Sequence, residues 1–144
     1  MDTSDLRKRI LRALDEARKD ASARRTVVDE ASLAYAAFLE KIAVPLLRQA
    51  VQVLRAENQL FTVNTPADGA QLVSDTSAQT FLEFTLDTSG PHPQVIGRVS
   101  LARGRQGRVV EERPVAPGKL VADLTEDEVA RFLVTEIPKL VVRR

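Results

Sequence analysis

The 144-residue chain contains no cysteine and no tryptophan, and its only histidine is His92. Without cysteine there are no disulfides, thiolate metal ligands or cysteine nucleophiles, and a single histidine cannot supply a histidine-rich metal site. The sequence also lacks the glycine-rich phosphate-binding loops and the nucleophile motifs of common enzyme families. We therefore expect a protein that is not an enzyme and that has no metal and no cofactor.

The chain has no large excess of charge of either sign. Its 21 Lys and Arg residues against 20 Asp and Glu residues give a net charge of +1. Five Phe and one Tyr offer few surfaces on which bases could stack. No apolar run reaches the 18 residues that predict a membrane helix, and charges interrupt the N-terminal segment where a signal peptide would need an apolar core. We expect a cytoplasmic protein without a membrane or nucleic-acid partner.

Glycine and proline are distributed unevenly along the chain. All six glycines and six of the seven prolines follow residue 58, whereas eleven alanines precede it. Alanine favours helices while glycine and proline interrupt them. We predict a helical oligomerisation segment over residues 1–58, with Ser4 or Thr3 as its N-cap, and a small α+β domain over residues 59–144. Pro45 should kink the helix.

Apolar residues in the helical segment recur at alternating steps of four and three, which is the pattern of a heptad repeat. The repeat has one charged member, Arg24, and consists of Ile10, Leu14, Ala17, Ala21, Arg24, Val28, Ala31, Tyr35, Phe38 and Ile42. A straight helix over residues 4–44 would be about 60 Å long, whereas the rest of the chain would form a body only about 25 Å across. The stripe must therefore be covered either by a fold-back near residues 20–25 or by another chain.

No glycine, proline or asparagine lies in residues 20–25, where a fold-back would need a bend. We therefore expect a homodimer or higher homo-oligomer, with a further protein as a possible partner. The expected oligomer interface consists of Ile10, Leu14, Ala17, Ala21, Val28, Ala31, Tyr35 and Phe38. Arg24 should cost stability there unless a carboxylate such as Asp20 of a second copy meets it.

Short runs of alternating apolar and polar residues fill the segment 59–116, as in antiparallel β-structure. We predict a meander of four to five strands, near residues 59–63, 71–74, 79–86, 94–101 and 108–115. The third and fourth of these should pair, with Gly97 marking a bulge. The buried face of the third should carry Leu82, Phe84 and Leu86.

The sequence from Thr125 to Glu128 is a capping box, which predicts the start of a C-terminal helix. The expected buried face of this helix consists of Val129, Phe132, Leu133 and Ile137, and Pro138 should end the helix. The whole chain is therefore expected to be an α+β protein with a long kinked N-terminal helix, an antiparallel meander and a C-terminal capping helix.

Five arginines and two glutamates give residues 94–114 a net charge of +3. The arginines are Arg98, Arg103, Arg105, Arg108 and Arg113, and the first four are the candidate binding residues. A hairpin of this kind could hold phosphates. The preceding residues 59–93, however, carry four acidic side chains and no lysine or arginine, so cross-strand ion pairs are the preferred explanation.

Other polar clusters have local explanations. The sequence Asp87-Thr88-Ser89-Gly90 lacks the glycine that aspartic proteases place two residues after the aspartate, and Asx turns account for it. Three of the four acidic residues between Asp123 and Glu128 belong to the capping box. The leading hypothesis is a non-enzymatic adaptor or scaffold subunit. The alternatives are a nucleic-acid-associated protein that uses the arginine hairpin, and a ligand binder or enzyme whose site is assembled by the fold.

Overall fold

The computed structural model describes residues 2–104 and 107–141, which form three helices and a five-stranded sheet. The elements are α1 (Thr3–Phe38), a π-helical segment (Leu39–Ala43), α2 (Val44–Ala56), β1 (Phe61–Asn64), β2 (Ala70–Ser74), β3 (Phe81–Asp87), β4 (Gln94–Ala102), β5 (Arg108–Pro114), a 3-10 turn (Val121–Asp123) and α3 (Glu126–Val141). This confirms the predicted α+β class. None of the described helices is both long enough and apolar enough to cross a membrane.

The helical segment from α1 to α2 has a cap at each end. Its N-cap is Asp2, whose carboxylate accepts the N–H of Ser4 at 3.3 Å, so the prediction of Ser4 or Thr3 as the cap was wrong. At the other end Asn58 has a positive φ of 61°. The N–H of Gln59 donates to the Leu54 carbonyl at 2.8 Å, which is the bond pattern of a Schellman cap.

The interruption expected at Pro45 takes the form of the π-helical segment just before it. Pro45 lies in the first turn of α2, where its missing N–H does least harm. The N–H of Val44 donates to the carbonyl of Leu39, five residues back, so the chain gains one extra residue in this turn. The bend considered at residues 20–25 is absent, because α1 runs through them as regular helix.

The five strands form an antiparallel meander in the order β1-β2-β3-β4-β5. The predicted pairing of β3 with β4 is confirmed, with Leu82 opposite Val99 and Glu83 opposite Arg98. On one face of the sheet Leu72, Leu82 and Phe84 are completely buried under the helices. On the other face Ser100 is buried, but most side chains remain partly exposed, among them Val73, Phe81, Ile96 and Val110.

An aromatic column passes through the core and joins α1, β3 and α3. The rings of Tyr35 and Phe38 are stacked at 6.1 Å, and Phe38 meets Phe84 edge-on at 5.9 Å. Phe84 in turn contacts Phe132 at 5.8 Å. The Tyr35 hydroxyl lies 3.0 Å from the carbonyl oxygen of Phe84, to which it donates a hydrogen bond. Burial, with a smaller effect of nearby carboxylates, raises the pKa of Tyr35.

Gly97 does not form the predicted bulge. Its register is regular, opposite Phe84 on one side and Arg113 on the other. The glycine is required instead by packing, because a Cβ at this position would lie only 2.0 Å from Cζ of Phe132. The ring of Phe132 therefore rests directly on the backbone of β4.

The capping box of α3 is present with both of its hydrogen bonds. The Thr125 hydroxyl accepts the N–H of Glu128 at 3.2 Å, and the Glu128 carboxylate accepts the N–H of Thr125 at 3.1 Å. Pro138, however, lies inside the helix, so the prediction that it ends α3 was wrong. The last turn continues because Leu140 is buried in the core, and Lys139 forms ion pairs with Glu136 and with Glu111 of β5.

Candidate functional site

The first 21 residues of α1, residues 3–23, form a helical arm on which every side chain is exposed. At 1.5 Å per residue the arm is about 30 Å long. It carries four large apolar side chains that are about half exposed, Leu6, Ile10, Leu11 and Leu14. Most of the stability of helices in proteins comes from packing of an apolar face, and the arm has no such packing within the described residues of its own chain.

Most apolar residues of the arm occupy one stripe of the helix, and Leu11 and Ala23 lie outside it. Successive residues of an α-helix are rotated by 100°, which places Leu6, Ile10, Ala13, Leu14, Ala17 and Ala21 within about 100° of one another. The same stripe continues through Arg24, Val28, Ala31 and Tyr35. From Arg24 onward the stripe is covered by the body, which we define as residues 24–104 and 107–141.

The structure divides the predicted interface residues into two groups. Tyr35 and Phe38 are 6% and 4% exposed within the core of their own chain. Val28 is half-buried, and Ala31 packs against the core. The remaining four residues lie on the arm, where no described residue of the chain buries them; they are Ile10, Leu14, Ala17 and Ala21.

Arg24 lies where the arm meets the body, and its own chain supplies its partners. The guanidinium donates to the carbonyl of Pro91 at 3.0 Å and to the carbonyl of Thr88, both in the loop between β3 and β4. In the sequence, Arg24 was expected to cost stability at an interface unless a carboxylate such as Asp20 of a second copy met it. The charged interruption of the stripe instead anchors this loop against α1.

Two of the candidate binding arginines, Arg98 and Arg108, lie on the same open face of the sheet, but Arg98 is already engaged in ion pairs. Arg98 lies on the open face of the sheet, where it pairs with Glu83 at 3.3 Å and its Nε lies 3.4 Å from Glu112. Arg113 lies on the helix-covered face, above the ring of Phe132 at 4.4 Å. Arg103 and Arg108 are exposed near the hairpin end. Arg105 is outside the described residues.

The loop that follows β3 shows the Asx turn expected from its sequence. One Asp87 carboxylate oxygen accepts both the N–H of Ser89 at 2.9 Å and its hydroxyl at 2.6 Å. These bonds lower the pKa of Asp87. His92 is exposed in the same loop. An open depression of about 460 Å³ lies beside Asp87 and Arg113. Both side chains already have partners, because Asp87 accepts hydrogen bonds from Ser89 and Arg113 donates one to Glu136.

A second depression of about 440 Å³ lies between α1 and β3, beside Tyr35 and Asp68. The Tyr35 hydroxyl is already satisfied there by the carbonyls of Phe84 and Asp68. Within the described part of the chain no three His, Cys, Asp or Glu side chains are grouped to hold a metal ion. Neither depression brings together a nucleophile, a base and an oxyanion donor.

Among the described residues the most deeply buried charged side chain is that of Glu136, which none of the sequence motifs includes. Glu136 on α3 is 2% exposed. Its carboxylate accepts a hydrogen bond from Arg113 at 2.7 Å and forms an ion pair with Lys139 at 3.0 Å. In sequence, the signal for this site was a glutamate on the predicted apolar face of α3, between Leu133 and Ile137. The pair fastens α3 to β5.

Acid is expected to weaken the body through Glu136. Burial opposes its charged form, but the hydrogen bonds from Arg113 and Lys139 outweigh burial and hold the pKa below its ordinary 4.5. A carboxyl with a lowered folded-state pKa stabilises the protein above its unfolded-state pKa, and this stability is lost as the pH falls through the folded-state pKa.

We expect Glu136→Gln to lower the free energy of unfolding by about 2 kcal/mol at neutral pH, since it loses charge-assisted hydrogen bonds. The difference from the unmutated chain should shrink as the pH falls through the lowered folded-state pKa of Glu136, because below it both chains carry a neutral side chain. Urea denaturation across this range measures it, with Glu126→Gln at an exposed position of the same helix as the control. A constant difference at all pH values would contradict the assignment.

Comparison of the chain with protein-family models, curated proteins and solved structures finds no match. What the chain does must therefore be argued from its own surface, and the exposed apolar stripe of the arm is the feature that its internal packing leaves unexplained.

Proposed function

We propose that this chain is a non-enzymatic interaction protein, an adaptor or scaffold subunit that assembles through its N-terminal arm. The observation that carries the proposal is the arm itself, whose side chains are all exposed although one stripe of it is apolar. Exposed apolar stripes of this kind are typical of protein interaction sites, because apolar side chains that stay in contact with water raise the free energy of the protein.

The separation between arm and body supports this role. The body has its own core, which extends from Tyr35 to Leu140, and it needs nothing from the arm to bury that core. The arm contributes no residue to either surface depression. The packing of the described residues makes no use of the apolar stripe of the arm, whereas assembly would give it one.

The arm should associate weakly by itself. Three of its stripe positions are alanines, and burying an alanine contributes much less than burying leucine at about 25 cal/mol per Å². We therefore expect a reversible assembly, with a dissociation constant on the order of micromolar. Such an affinity suits a subunit whose assembly depends on its local concentration.

Sedimentation equilibrium at tens of micromolar tests the proposal. We expect the unmutated chain to be a dimer or larger, and the double variant Ile10→Asp, Leu14→Asp to be a monomer with an unchanged fold. Leu33→Asp is the matched control, because Leu33 is 76% exposed on the opposite face of α1 and should not affect assembly. Phe38 is unsuitable, since its substitution would disrupt the core. A compact monomer for the unmutated chain would refute the proposal.

A further inference from the structure

We infer that the occupant of the arm is a second copy of the chain, bound with the two arms antiparallel. In this arrangement Leu6 of one copy lies opposite Ala21 of the other, Ile10 lies opposite Ala17, and the two Leu14 side chains meet beside the two-fold axis. The inference rests on the proposed function and adds to it the identity, direction and register of the partner.

The first argument is the distribution of side-chain volume along the stripe. Along the stripe the large residues Leu6 and Ile10 lie in the N-terminal half of the arm and Leu14 lies at its middle, whereas the rest of the C-terminal half carries only Ala17 and Ala21. Antiparallel pairing puts Leu6 opposite Ala21 and Ile10 opposite Ala17, so large side chains meet each other only at the central Leu14 layer. Parallel pairing would put large against large at one end and leave gaps between alanines at the other, and gaps forfeit packing energy.

The second argument is the position of the body. The stripe is continuous with the face that carries Tyr35 and Phe38, and the body covers that face from Arg24 onward. In a parallel, in-register pair the two bodies would both lie between the two helices and would exclude one another. In the antiparallel pair each body lies beyond the N-terminus of the other arm, so the whole exposed stripe can be covered.

Charge supports the same register. Arg9, Glu16 and Asp20 lie on one flank of the stripe, as their 100° rotations place them within about 40° of one another. The antiparallel register brings Arg9 of one copy to the level between Glu16 and Asp20 of the other, which permits two symmetric sets of ion pairs. The opposite flank brings Arg7 near Arg18 of the second copy. These two arginines are exposed and can extend into water.

The absence of cysteine makes the direction of pairing directly measurable by disulfide cross-linking. A disulfide forms only where the two Cβ atoms approach to about 4 Å. Leu14→Cys lies beside the two-fold axis and should cross-link to itself. Leu6→Cys and Ala21→Cys should each stay uncross-linked alone, and a mixture of the two should give a dimer that contains one copy of each. Leu33→Cys, on the opposite face of α1, is the negative control.

Sedimentation of the unmutated chain, run beside the cross-linking, separates the two claims. A monomer would refute the proposed function, and with it the inference. An oligomer in which Leu6→Cys and Ala21→Cys each cross-link to themselves would keep self-association through the arm but overturn the antiparallel arrangement. An oligomer in which none of the three arm cysteines reacts would place the interface elsewhere on the chain and overturn the inference. Circular dichroism of each variant confirms that the helix content is unchanged.

Discussion

Replacing Phe84 by alanine is expected to lower the free energy of unfolding by about 3–5 kcal/mol, the usual cost of removing a buried phenylalanine. Phe84 is completely buried and contacts Phe38 on α1 and Phe132 on α3. Its loss therefore leaves a cavity at the junction of three elements. The stability of a domain of this size is only about 5–15 kcal/mol, so the variant should be markedly easier to unfold.

Urea denaturation followed by circular dichroism measures this effect. Phe81→Ala is the matched control, because Phe81 lies three residues earlier in the same strand, on the partly exposed face of the sheet. We expect it to cost less than half as much. Equal unfolding midpoints for the two variants would show that Phe84 is not the centre of the core.

Gly97→Ala should also lower the free energy of unfolding strongly. Phe84→Ala leaves a cavity, whereas this change adds a methyl group where no space exists. The new Cβ would lie 2.0 Å from Cζ and 2.6 Å from Cε1 of Phe132. The ring must move, yet it is 2% exposed and is held between Phe84 and Arg113. Overpacking of this kind costs about 1–3 kcal/mol, and the closeness of these contacts places this case at the upper end.

A double-mutant cycle tests the cause of that effect. Phe132→Leu removes the part of the ring that the added methyl would meet. The double variant should therefore be more stable than the sum of the two single changes predicts, by about 1 kcal/mol or more. Additive changes would mean that the alanine acts through the backbone of β4 and not through Phe132. Gly90→Ala is the control for glycine loss alone, since no atom lies within 4 Å of its added Cβ.

The sequence was sufficient for features that depend on neighbouring residues. Alternation of Leu82 and Phe84 with polar residues predicted a strand with one buried face, because side chains of a strand alternate between faces. The Thr125 to Glu128 spacing predicted the start of α3, because a capping box is a local set of hydrogen bonds. The pairing of Glu83 with Arg98 followed from opposite charges on strands joined by a short loop.

Features that depend on distant residues were missed or misassigned. Gly97 was interpreted as a bulge. Glycine is required there because Phe132, which lies 35 positions later in the chain, leaves no space for a Cβ, and this contact cannot be seen in the local sequence. Pro138 was expected to end α3, but burial of Leu140 outweighs the lost backbone bond. Arg24 was interpreted as a flaw in an interface, because its partners are carbonyls of a loop more than 60 residues away. No pattern of neighbouring residues in the sequence predicts these long-range contacts.

The candidate site was only partly predictable for the same reason. Periodicity placed ten residues on one stripe, but it could not show where the chain's own body begins to cover that stripe. The structure places this boundary at Arg24. The residues before it remain candidates for contact with a second chain, and those after it serve the core.

The aromatic column has a consequence for how the chain is made. Phe84 needs Phe38 on one side and Phe132 on the other, so the core closes only when α3, which follows the sheet in the chain, has left the ribosome. Until then the part of the core around Phe84 and Gly97 lacks the ring of Phe132. The arm precedes the body in the chain, so it is synthesised before the body and takes no part in this closure. When several ribosomes translate one messenger RNA, the arms of neighbouring nascent chains could therefore meet before either body has folded. Assembly through the arm would then precede completion of the fold.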